Sequence, residues 1–202
     1  MGMTCTLYRA TAAEIERLIE QPSTLDSFLD FDAGAPRATP VKEKGLLGLF
    51  FRFFGIKVSE VSSACPDENT STQQIDPERM IDIEKAWHGL HFLFTGTADG
   101  GEEPACYFVR GGEDLDDDGF ARALKPDKVL RLSEYLNGLS TAELERRYDP
   151  ARMTKLDIYP AIIWQRDARD SPVAWLLDCF SEVKKFINNA AAAGDGVIVY
   201  IS

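Results

Sequence analysis

A helix-rich α+β fold is what this sequence predicts, on three observations. Strand-like runs stand near both ends of the chain. Apolar residues recur at helical spacing through most of the stretch between them. Strands and helices do not alternate in a regular βαβ rhythm. The expectation is a small sheet formed by the N- and C-terminal strands and packed with six or seven helices. At 202 residues the chain can bury a sizeable core without staples. A single domain over 1–202 is expected, with an insertion at about 33–75.

Met3–Arg9 mixes β-branched and aromatic residues in short alternation and reads as the first strand. Thr11 followed by Glu14 is a capping box, and Ile15, Leu18 and Ile19 then share one helical face. Gln21-Pro22 stops that helix, and Ser23 or Thr24 starts a short second one through Leu25, Phe28 and Leu29. Asp32–Val41 and Ser59–Gln74 have loop composition. Between them Gly45–Lys57, the most apolar segment of the chain, is expected to form a helix buried at one edge of the domain. The strongest helical pattern is Asp82–Gly96, capped by Asp82 or Asp76 and closed by Gly96. Ile83, Ala86, Trp87, Leu90 and Phe94 form its stripe, and Phe92 on the far side implies a helix sandwiched between layers.

Thr97–Glu103 reads as a loop and Ala105–Gly111 as a short strand. Pro126 opens a helix carrying Val129, Leu132, Tyr135 and Leu136, which Asn137-Gly138 ends. Ser140 and Glu143 make a second capping box, for a short helix that closes before Asp149-Pro150. Ser171-Pro172 begins the longest helix, striped by Val173, Leu176, Phe180, Val183, Ile187 and Ala190 and ended by Gly194. Gly196–Ser202 closes the chain as a strand.

Thirty-three acids against 22 bases leave a net charge of −11. That balance argues against nucleic acid as a partner, because phosphate contacts need a basic footprint. No apolar run reaches the length of a membrane span. The N-terminus lacks the charged and apolar regions of a secretory signal, so a cytoplasmic protein is expected. Cys5, Cys65, Cys106 and Cys179 are scattered without metal-ligand spacing and read as reduced, mostly buried thiols. The charge is concentrated: Asp99–Asp118 holds eight acids and one base, −7 of the −11. Such a field steers a basic protein partner toward one face. Glu113, Asp114, Asp116, Asp117 and Asp118 are the candidate residues of that surface.

Asp114, Asp116, Asp118 and Gly119 copy the first half of an EF-hand loop. The second half fails, with Ala121 at the eighth position and Lys125 where a bidentate glutamate is required. A solvated acidic turn is the expectation, and no metal or cofactor is. Gly111-Gly112 leads into acids that would repel phosphate, and no phosphate loop or nucleophile elbow occurs. His88 and His91 are the only histidines and share the Asp82–Gly96 helix with Glu84. In the plainer reading they flank a buried tryptophan, with Glu84 bonded to His88 one turn on. In the functional reading Glu84, Trp87, His88 and His91 line a pocket walled by Tyr159 and Trp164. Two histidines without a third ligand fall short of a zinc site.

Several stretches resemble the YfbM-like family of bacterial proteins of unknown function. They are Ile81–Gly96, Phe108–Leu115, Arg146–Pro160, the opening Met1–Leu18 and the closing Ala190–Ser202. The likeness spans nearly the whole chain except about residues 33–75. It implies one α+β domain in the bacterial cytoplasm and no known activity, so no catalytic residue carries over. The expected function is non-enzymatic protein binding through the acidic surface, as in an immunity protein that neutralises a toxin enzyme. The alternative is an enzyme or small-ligand binder with its pocket around Trp87, His88 and His91.

Overall fold

Pairing between the two ends of the chain organises the sheet. The computed structural model describes residues 2–33, 79–165 and 171–202. Strand β1 (Cys5–Ala10) lies antiparallel to β5 (Gly196–Ile201), with Cys5 opposite Ile201, Leu7 opposite Val199 and Ala10 opposite Gly196. Thr4 and Ser202 extend the ladder by exchanging backbone hydrogen bonds of 2.7 and 2.9 Å. Three further strands complete an antiparallel sheet of order β2-β1-β5-β4-β3: β2 (Met80–Glu84), β3 (Glu113–Asp114) and β4 (Ala121–Leu124). Gly196 to Val199 are consecutively buried, so both faces of β5 are covered.

The chain divides into two units, Met1–Leu25 with Asp76–Ser202, and Asp26–Ile75. In the second unit the described part is most of helix α2 (Leu25–Ala33), which continues through the first two residues of the stretch expected to be loop. The apolar segment Gly45–Lys57 and the polar stretch Ser59–Gln74 lie outside the described residues.

In the first unit, α1 (Ala12–Glu20) opens with the expected capping box: Thr11 accepts from the Glu14 amide, and Glu14 accepts from the Thr11 amide at 2.7 Å. It lies over β4 and β5. A Cβ on Gly196 would collide with the Ile15 side chain, so glycine permits this approach. The long helix α7 (Pro172–Ala193) ends on Gly194 in the left-handed region as expected, and it packs on α4 (Pro126–Gly138), β2 and β5. Helix α5 (Thr141–Arg147) starts at Ser140, whose hydroxyl accepts from the Glu143 amide. A further helix, α6 (Pro150–Lys155), was not expected. Asp149 caps it and Pro150 supplies its first position.

Two sequence expectations fail locally. The Asp82–Gly96 helix is in fact strand β2 followed by α3 (Ala86–Thr95), which starts at Lys85 without a side-chain cap. Ile83 fits both a period of two from Ile81 and a helical stripe with Ala86 and Trp87, and pairing with β1 decides for the strand. The Ala105–Gly111 strand is instead a 3₁₀ turn at Ala105–Phe108, all four residues buried. Helix α3 itself is enclosed on all sides as expected, with Trp87, Leu90, Phe92, Leu93 and Phe94 all buried.

Candidate functional site

Three of the residues singled out in the sequence form one stack. The Trp87 and His88 rings lie 4.7 Å apart and nearly parallel, and Tyr159 stacks on Trp87 at 6.1 Å. His88 is fixed at both nitrogens. Its Nδ1 accepts from the Tyr159 amide at 2.9 Å, so Nε2 carries the proton and donates to the Ala98 carbonyl at 3.0 Å. Burial, the largest influence, holds its pKa below the ordinary histidine value. His88 thus ties the Tyr159 loop and the Ala98 loop to α3.

His91 is fully buried, and among the described residues neither ring nitrogen has a hydrogen-bond partner in good geometry. The Gly100 backbone acts on the ring against the effect of burial. Burial, then the neighbouring His88, pushes the His91 pKa down to about 4. The indole nitrogen of Trp87, one turn earlier, is buried and unpartnered too. Trp164 is buried against Gly89 and donates to the Ile158 carbonyl at 2.6 Å. Glu84 does not join this group: it belongs to β2, with positive φ, and its amide bonds to the Asp82 carboxylate at 2.8 Å. The expected Glu84–His88 helical pair does not form, because the helix begins after Glu84. Among the described residues no three His, Cys, Asp or Glu side chains converge as a metal site. Cys5, Cys106 and Cys179 are buried and free, and Cys65 lies outside the described residues.

The acidic window forms the sheet edge. Leu115–Phe120 is the turn of the β3–β4 hairpin, and the Asp116 carboxylate accepts from the amides of Phe120 and Ala121, each at 2.9 Å. That local bonding, and the hairpin on which it sits, make the segment a turn and not half of a calcium loop. Bases from outside the window fold back on it: Arg122 pairs with Asp114 at 2.6 Å, Lys125 with Glu113 at 3.9 Å, and Arg131 with Glu103 at 3.2 Å. The local charge is smaller than the sequence count suggests. Asp117 and Asp118 are exposed and make no ion pair among the described residues, and Phe120, two positions on, is 45% exposed.

Sequence reasoning missed a groove of about 470 Å³ at the C-terminal end of α3. Phe92 to Gly96 line one side, with Arg146 and Arg147 from α5, Asp149 from the cap of α6 and Arg152 from α6 itself. Arg147 donates to the Leu93 and Phe94 carbonyls at 3.0 and 3.3 Å and pairs with Glu143 at 2.5 Å. Arg152 donates through Nη2 to the Gly96 carbonyl at 2.8 Å and lies over the Phe92 ring. Arg146 is exposed and makes no ion pair or hydrogen bond among the described residues. The signal in the sequence was three arginines around Asp149-Pro150, where the chain turns from one short helix into the next.

The sequence matches a domain of unknown function, DUF1877, over residues 1–200. The chain belongs to the DUF1877 family. A curated protein of similar sequence, Protein YfbM of Escherichia coli (strain K12), is 25% identical over 130 residues, covering 61% of this chain and 78% of YfbM. The crystal structure of YfbM from Escherichia coli, described as a protein of unknown function, matches with a TM-score of 0.63 at 16% identity. It covers 98% of this chain and 99% of that one, and the likeness shows a shared α+β fold. The family resemblance carried by Ile81–Gly96 and Arg146–Pro160 therefore holds, and so does the helix-rich α+β class. No helix among the described residues is long and apolar enough to cross a membrane.

Proposed function

We propose that this DUF1877 chain is a cytoplasmic, non-enzymatic binding domain that holds a basic protein partner against its β3–β4 hairpin. The supporting observation is the construction of the turn. Asp116 spends its carboxylate on two backbone amides, and Asp117, Asp118 and the half-exposed Phe120 project from the fixed turn. Two exposed acids without an ion pair among the described residues steer a basic partner, and an aromatic ring nearby supplies contact area at low entropic cost. A turn already ordered in the free protein loses little on binding. An immunity protein that blocks a basic toxin enzyme is the concrete form. The reading of a pocket around Trp87, His88 and His91 has less support, because both His88 nitrogens are committed to backbone groups.

Charge reversal tests the proposal. The double variant Asp117→Lys/Asp118→Lys should melt with wild type, since both side chains are exposed and neither bonds another described residue. Wild-type protein should retain one basic protein from the native host at low salt and release it at high salt, while the double variant retains none. Equal retention by the variant, or no protein partner at low salt, sinks the proposal. We propose in the same way that residues 1–202 form one α+β domain with about 33–75 inserted, since β1 and β2 pair directly across that stretch. Replacing 34–75 by a Gly/Ser linker of comparable length should leave a cooperatively folded protein.

A further inference from the structure

We propose that the groove at the C-terminal end of α3 is a binding site for a small phosphomonoester, gripped by Arg146 and Arg152. The end of a helix exposes carbonyl oxygens that attract cations, so arginines there need no ligand to explain them. That account covers Arg147, which bonds two α3 carbonyls and Glu143, and one arm of Arg152. It does not cover Arg146, whose whole guanidinium is unused among the described residues. The remaining N–H groups of Arg152 make no hydrogen bond among the described residues, where its side chain bonds through Nη2.

The guanidinium of Arg146 and the unbonded N–H groups of Arg152 come from different helices and line one groove. A carboxylate satisfies one fork, whereas a phosphomonoester carries close to two charges and three acceptor oxygens and accepts from two. The groove is several times larger than a phosphate group, so an organic body fits beside it, within the usual range of small-molecule sites. Asp149 also lines the groove. It gives one oxygen to the Arg152 amide at 2.9 Å, and its carboxylate accepts a hydroxyl of the ligand body. A hydroxylated phosphomonoester thus matches the donors and the acceptor together.

The test is a titration of the ¹⁵N-labelled full chain with glucose 6-phosphate, inorganic phosphate and glucose, each against sodium chloride of matched ionic strength. Glucose 6-phosphate should give saturable shifts at Gly96, Thr97 and Arg152, tighter than inorganic phosphate, and glucose and chloride should give none. Arg146→Ala should weaken binding by about tenfold or more without changing the melting temperature, and Arg146→Lys should restore part of it. The outcomes that overturn the site are no saturable shift, an equal response to chloride, or unchanged affinity in Arg146→Ala. Saturation by inorganic phosphate but not by the ester overturns the assignment of the ligand class.

Discussion

At the scale of single residues, the two histidines divide a structural role between them. His88 bonds two loops, and replacing it with phenylalanine keeps the stack on Trp87 while stranding the Tyr159 amide and the Ala98 carbonyl. His88→Phe should therefore lose roughly 2–4 kcal/mol in denaturant unfolding, the cost of two polar groups left without partners. His91 acts through its charge. Its folded pKa of about 4 lies below the unfolded value near 6.5, so the unfolded chain takes up the proton first. The stability contributed by neutral His91 is complete above pH 6.5 and drains away as pH falls toward 4, by about 3 kcal/mol in all. Asp99 and Arg110 face the ring with opposite effects and pair with each other at 2.6 Å, while His88 adds to the depression. His91→Leu should flatten the stability–pH profile between pH 6.5 and 4, which urea unfolding at stepped pH would read. A profile unchanged by the substitution would show that other groups carry the slope.

At the scale of elements, α3 is held by what its small residue admits. A Cβ on Gly89 would lie 2.7 Å from the Trp164 ring and 2.9 Å from Leu176 of α7. Alanine would gain roughly 1 kcal/mol of helix propensity, and overpacking costs about 1–3 kcal/mol where neighbours cannot withdraw. Trp164 is buried and anchored to the Ile158 carbonyl, so withdrawal is blocked. Gly89→Ala should lower the melting temperature, against its intrinsic helix preference. Much at this scale was legible. Thr11, Pro126, Ser140 and Gly194 mark helix ends by backbone chemistry that needs no distant partner. The two-residue β3 and four-residue β4 were not, since segments so short have no period to read.

For the whole molecule, the order β2-β1-β5-β4-β3 puts the last strand at the centre of the sheet. Completing the sheet requires pairing residues about 190 apart, a contact that costs loop-closure entropy. Deleting Gly196–Ile201 should leave a chain without a cooperative unfolding transition in calorimetry. In the intact protein, the amides of β1 and β5 should exchange slowest by hydrogen–deuterium exchange, and those of the two-residue edge strand β3 fastest. Equal protection of β3 and β5 would contradict the central placement.

The amino-acid sequence by itself determined the fold class, the family and most helix boundaries, because caps, prolines and apolar periodicity act through neighbours along the chain. It also determined where acids concentrate. Tertiary structure decided which acids keep their charge unopposed, since Arg122, Lys125 and Arg131 reach back from beyond the acidic window. It moved Glu84 out of the histidine helix by pairing Ile81 and Asp82 with β1. It also gathered Arg146 and Arg152 beside the end of α3, more than fifty residues away in the chain. The physical reason is common to all three. Local preferences act over a turn or two of chain, whereas charge neutralisation, strand pairing and grooves are set by what the closed sheet and packed helices bring together.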